Sequence, residues 1–123
     1  MVTIPLQEPT FLILTALADG PRHGYGIIGE VSEMSNGRVK LRPGTLYGAL
    51  DRLTTDGLIN VEREEVTGGR LRRYYQLTDD GGALLHAEAE RQRRNAEAAE
   101  RRLASQDQKR RGSAPGRVAP ATP

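Results

Sequence analysis

The residues in this chain best equipped for chemistry are arginines, and two groups of them stand out. Arg52 lies in an amphipathic stretch beside Thr45, Tyr47 and Gly48, and Arg70, Arg72 and Arg73 crowd one side of a glycine turn. Guanidinium groups donate to phosphate oxygens and to guanine edges, and Thr and Tyr hydroxyls donate to phosphate. That is the chemistry of nucleic-acid contact. Other chemistries find little footing. The two histidines, His23 and His86, are far apart and there is no cysteine, so no residues have metal-ligand spacing and no thiolate is available. No nucleophile stands beside a base, and Gly24-Tyr25-Gly26 has no evident strand before it and is not read as a dinucleotide loop. The chain reads as a non-enzyme that needs no cofactor.

The elements that must position these arginines come from a chain of 123 residues with 37% hydrophobic and 4% aromatic content, enough for one domain with extensions. The net charge is only +2, so a nucleic-acid reading rests on where the arginines sit rather than on their number. No apolar run is long enough to span a bilayer and no export signal is evident, so a cytoplasmic protein without membrane contact is expected.

Pro43 suits the first turn of a helix, Leu46, Ala49, Leu50 and Leu53 recur on one face of it, and Gly57 ends it. Thr45, Gly48, Arg52 and Thr55 form the opposite, polar face. Before it come a very apolar helix from Pro9 to about Ala18 and a second helix from about Gly24 to Ser35, whose glycines suggest close approach of another backbone. Val39 to Leu41 is read as a short strand. After Gly57 the period shortens to two: Leu58 to Val66 and Leu71 to Leu77 read as strands around the turn Thr67-Gly68-Gly69-Arg70. Three helices followed by a hairpin is the order of a winged helix-turn-helix, so the fold class is mainly α with a small β hairpin. In such a fold the third helix fits the DNA major groove, and the arginine-tipped hairpin reaches phosphates or the minor groove.

The sequence also resembles a known family. H-G-Y-G-I (His23 to Ile27), R-P-G-T-L-Y-G-A-L-D-R-L (Arg42 to Leu53), D-G-L-I (Asp56 to Ile59), G-G-R (Gly68 to Arg70) and R-R-Y-Y-Q-L-T (Arg72 to Thr78) look like successive signatures of PadR-type transcriptional regulators. The resemblance implies a homodimeric repressor that binds an inverted-repeat operator in double-stranded DNA and is often released by a small-molecule inducer. With its motifs counted in, the expected DNA-binding residues are His23, Tyr25, Arg42, Thr45, Tyr47, Gly48, Arg52, Arg70, Arg72 and Arg73. His23 has an alternative role as a helix cap. The alternative for the whole chain is a winged-helix protein-interaction module, which the acids Glu62, Glu64 and Glu65 beside the wing favour.

Thr78 is a good N-cap and Asp79 and Asp80 suit the first turn of a last helix, which Gly81-Gly82 weakens. Leu85, Ala89, Gln92, Ala96, Ala99 and Leu103 follow at coiled-coil spacing and are expected to form the dimer contact, joined by Phe11 and Leu14 of the first helix. Residues 1–78 are thus a winged-helix domain, 79–104 a C-terminal dimerisation helix and 105–123 a disordered basic tail. No aromatic residue follows Tyr75, so no planar ligand is expected between the last helices. Any inducer would sit nearer Phe11, Leu14 and Tyr25.

Overall fold

The computed structural model describes residues 5–112. In chain order the elements are α1 (Glu8–Ala16), β1 (Arg22–His23), α2 (Gly24–Met34), α3 (Pro43–Thr55), β2 (Ile59–Thr67), β3 (Arg70–Leu77) and α4 (Asp79–Gly112). The chain divides into two compact units, one ending at Glu88 and the other beginning at Ala89.

The first unit is built on one apolar core. Ile13, Leu14, Ala16 and Leu17 enter it from α1 and its end, Ile27 and Val31 from α2, Leu46, Ala49, Leu50 and Leu53 from α3, and Ile59 and Tyr75 from the sheet. Each fully buried aliphatic side chain of this kind stabilises the fold by about 1.5–3 kcal/mol. Pro43 opens α3 and Gly57, at φ 76°, closes the chain after it, as the sequence predicts. The hairpin turns at Gly68 and Gly69, whose φ of 57° and 78° meet the demand of a type I′ turn for two left-handed residues.

The sheet has three strands in the order β1-β3-β2, all antiparallel. This corrects the expected strand at Val39 to Leu41. The Val39 N–H goes instead to Ser35 Oγ at 2.9 Å, and Asn36 and Gly37 turn the chain at positive φ. The third strand is β1, where Arg22 and His23 pair with Tyr75 and Tyr74. A shift of register between Val61 and Arg63 leaves Glu62 as the extra residue of a bulge. Beyond the bulge Arg63, Glu65, Arg70, Arg72 and Tyr74 share one face, and Glu64, Val66, Leu71 and Arg73 share the other with Tyr75.

The start of α4 is pinned to the corner between α3 and β2. Thr78 Oγ1 donates to the Gly57 carbonyl at 2.7 Å and accepts the Gly81 N–H at 3.0 Å, capping α4. Gly81 is needed here rather than tolerated, since a Cβ would stand 2.0 Å from the Leu58 carbonyl oxygen. Further along, the buried Glu88 carboxylate accepts the Leu6 N–H at 2.5 Å and so ties down the segment before α1.

In the second unit α4 runs on to Gly112, eight residues past the expected boundary at 104. Ala104, Gln106, Gln108, Lys109, Arg110 and Arg111 are compatible with a helix, and neither Gly nor Pro interrupts them before Gly112. The rest of the expected tail, 113–123, lies outside the described residues. Arg93 links Glu90 and Glu97 along one side of this helix. Ala89, Gln92, Ala96, Ala99 and Leu103 are exposed, with Leu103 66% accessible.

Candidate nucleic-acid interface

The outer face of α3 is a strip of Gly44, Gly48, Asp51 and Thr55 at helical spacing, bordered by Tyr47 on one side and Thr45 and Arg52 on the other. All seven are exposed. A helical glycine costs about 1 kcal/mol against alanine, and close packing inside the protein commonly accounts for one. Neither Gly44 nor Gly48 has such a reason, because a Cβ at either would meet nothing within 4 Å. The bare strip therefore faces open space.

Two grooves flank it. One, of about 420 Å³, opens between α2, α3 and the hairpin; Tyr25, Tyr47, Asp51, Leu71 and Arg73 are among its walls. The other, of about 320 Å³, lies between α3 and the start of α1 and is lined by Thr45, Ala49 and Arg52 with Gln7, Pro9 and Thr10. Tyr25 is 57% and Tyr47 41% accessible. The Tyr47 hydroxyl lies over Gly24, where a Cβ would come within 2.3 Å of it, so Gly24 makes room for a side chain and not for another backbone. At Gly29 a Cβ would meet nothing within 4 Å, so the expected backbone contact is absent there too.

Gly24, Gly26 and Gly29 have G-x-G-x-x-G spacing, and a strand does precede them, contrary to the sequence reading. They still build no dinucleotide site. The strand has two residues and sits in an antiparallel sheet, without the parallel βαβ unit that such a site needs. The side chain of His23 occupies the N-terminus of α2, its Nδ1 accepting the Gly26 N–H at 3.2 Å.

His23 therefore fills its alternative role as a helix cap, through Nδ1. Its ring also meets Tyr74 edge-on at 5.3 Å. Arg72 Nη1 stands 3.3 Å from Nε2. A neutral imidazole has one acceptor nitrogen. With Nδ1 accepting from Gly26, Nε2 carries the proton, so Arg72 is a neighbouring charge and keeps its donors for another acceptor. Burial, and then the Arg72 charge, hold the His23 pKa below its ordinary value, which keeps the cap neutral.

The hairpin arginines differ sharply in what surrounds them. Arg73 pairs with Glu64 at 2.8 Å across the strands. Arg63 is held by Glu62 at 2.7 Å and Glu65 at 2.8 Å, and its guanidinium stacks 3.9 Å above the Tyr74 ring. Those carboxylates push the pKa of both arginines up, and Arg63 pulls that of Glu65 down. Arg70 and Arg72 make no ion pair among the described residues, and neither do Arg42 and Arg52.

The structure thus gathers Tyr25, Tyr47, Arg70, Arg72 and Arg73 around one groove and puts Thr45 and Arg52 on the far side of the α3 strip. Arg42 is the exposed N-cap residue of α3, though its side chain forms no cap. The sequence reading omits Asp51 and Gly44. Helical spacing from Gly48 would have found both. Of the expected dimer residues, Leu14 is corrected: it has no accessible surface and belongs to the core, because α1 buries more than one stripe. Leu85 is half-buried and packs against the same core. Of the residues expected near an inducer, Tyr25 lines the hairpin groove, Leu14 is buried in the core and Phe11 is half-buried. Among the described residues no helix is long and apolar enough to cross a membrane.

The model of the Transcriptional regulator PadR-like family matches residues 13–87. The chain is 41% identical over 73 residues to the transcriptional regulator Rv3488 of Mycobacterium tuberculosis, covering 59% of this chain and 64% of that one. It is 45% identical over 83 residues to an uncharacterised protein in transposon TN4556 of Streptomyces fradiae; the match covers 68% of this chain but 22% of that protein. Bacillus subtilis PadR, solved in complex with operator DNA, superposes with a TM-score of 0.59 at 28% identity, over 66% of this chain and 46% of that one. The chain therefore spans less than half of the length of two of these relatives. With the family model covering most of the chain and the fold in agreement, the chain belongs to the PadR-like family of transcriptional regulators.

Proposed function

We propose that the chain represses transcription as a homodimer that binds an inverted-repeat operator in the cytoplasm. In each subunit α3 enters the major groove, with Arg52 at a base edge or phosphate. Tyr25, Tyr47 and Arg42 contact the backbone, and Arg70 and Arg72 of the hairpin reach phosphates or the minor groove. The observation that carries this reading is the bare Gly44–Gly48 strip, which nothing inside the protein requires. Bacillus subtilis PadR, a structural neighbour, is seen bound to operator DNA. The exposed line Ala89, Gln92, Ala96, Ala99 and Leu103 supports α4 as the dimer contact, since a partner helix would bury it. Small residues there favour close packing of two helices and leave no aromatic platform for a planar inducer.

A second reading, a protein-interaction module, draws on the Glu64–Arg73 and Arg63–Glu62/Glu65 pairs, which cancel much of the hairpin charge. A mobility-shift titration on the DNA upstream of the chain's own gene separates the two. A dimer making six to ten phosphate contacts loses about 10³- to 10⁵-fold in affinity between 50 and 200 mM salt. Affinity that ignores salt, or no binding, would favour the interaction module.

A further inference from the structure

We infer that Asp51 is a specificity-determining residue that reads a cytosine, an inference that rests on α3 being the DNA-reading helix. Asp51 is exposed on the outer face of α3 and lines the groove that the hairpin arginines also line. It forms no ion pair with those arginines or with Arg52 among the described residues. On a surface meant for phosphates, an unpaired carboxylate is repelled, so by backbone contact alone it would only weaken binding. Base edges reverse the sign. An ionised carboxylate only accepts hydrogen bonds, and in the major groove the cytosine N4 amino group only donates.

Reach is the obstacle for so short a side chain, and the neighbouring residues remove it. Gly44 and Gly48 precede Asp51 on the same strip without side chains, so the helix backbone can approach the groove floor there. Arg52, longer and at the edge of the strip, can reach a guanine or a phosphate from farther out. The two adjacent residues then carry opposite halves of the base code: donors on Arg52 and acceptors on Asp51. The carboxylate also discriminates against wrong sites, because a base presenting an acceptor opposite it leaves a charge facing lone pairs.

The test is in-vitro selection from duplexes randomised over about two helical turns, using full-length wild type, Asp51→Ala and Asp51→Asn, with dissociation constants for the winning duplexes and for random DNA. The wild-type pool should converge on cytosine at one position per half-site, preferred about tenfold. Asp51→Ala should leave that position unspecified, keep the others, and bind random DNA as well as or better than wild type. Asp51→Asn should move the preference toward adenine, whose N6 and N7 suit an amide. Unchanged pools from all three proteins would overturn the inference. So would Asp51→Ala tightening operator and random DNA equally with its pool unchanged, which would make Asp51 a repulsive bystander. A wild-type pool without enrichment would instead sink the DNA reading, and this inference with it.

Discussion

The hairpin holds four arginines and the outer face of α3 only Arg52, yet the free hydrogen-bonding capacity is spread differently. Arg63 and Arg73 are committed to glutamates on β2. Arg70 and Arg72 remain, one near the turn and one against His23. On α3, by contrast, Arg52 and Asp51 are unpaired among the described residues, and Gly44 and Gly48 leave the helix backbone beside them open. The difference teaches that arginine count measures neither charge nor access. On the proposed function, the hairpin would make a screened, sequence-blind contact and α3 a close one that tells bases apart.

If that division holds, Arg52→Ala should have the largest effect on operator binding, about 1–3 kcal/mol when it reads a base, with little change on random DNA. Competition titrations of operator against random duplex measure it directly. Equal losses on both would place Arg52 on a phosphate and blur the division.

The hairpin should behave in the opposite way. Arg70→Ala and Arg72→Ala should each weaken operator and random DNA alike and lower the salt slope by about one. A slope that does not move would remove the hairpin from the interface. Arg73 should matter less, because Glu64 already neutralises it. The sharper probe is Glu64→Gln, which frees Arg73 without adding a charge to the chain beyond the one unmasked. It should raise affinity for random DNA and steepen the salt dependence by about one. No change would mean that Arg73 stands clear of the DNA.

How much of this division is legible in the sequence depends on the kind of signal. Pro43, Gly57 and the Gly68-Gly69 turn are local stereochemical instructions, and the structure obeys them at those residues. The four buried positions of α3 follow from their spacing alone. β1 is not legible, because a two-residue strand has no period, and it exists only because β3 offers Tyr74 and Tyr75 as partners. Leu14 cannot be told from Phe11 in a helix apolar on several sides. The Glu64–Arg73 pair needs the register set by the bulge at Glu62, which long-range pairing decides. Asp51 is legible by spacing, but an acid on the exposed face of a helix is easy to discount without seeing that it is unpaired.

The smallest expected effect joins the two regions, since His23 caps α2 and touches Arg72 and Tyr74 of the hairpin. Its pKa is lowered in the fold, so the unfolded chain takes up the proton more readily. The stability that neutral His23 contributes is therefore present above the ordinary histidine value of about 6.5 and is lost as pH falls below it through the lowered folded value. Protonation also turns Nδ1 from acceptor to donor and so breaks the cap. Thermal melts of wild type and His23→Asn at a series of pH values should show the wild type losing more stability on acidification from pH 7 toward 5. Parallel curves would assign the acid sensitivity elsewhere.

If the open strip of α3 is where the operator comes closest, Gly48→Ala, read two ways on the same protein, will show it. Alanine has the better helix propensity and no neighbour to strike, so the melting temperature should rise, corresponding to about 1 kcal/mol. Operator affinity should fall by about 1–3 kcal/mol, as an added methyl overpacks a close interface. The expected outcome is a more stable protein that binds its operator less well. A more stable protein whose operator affinity is unchanged or improved would contradict it.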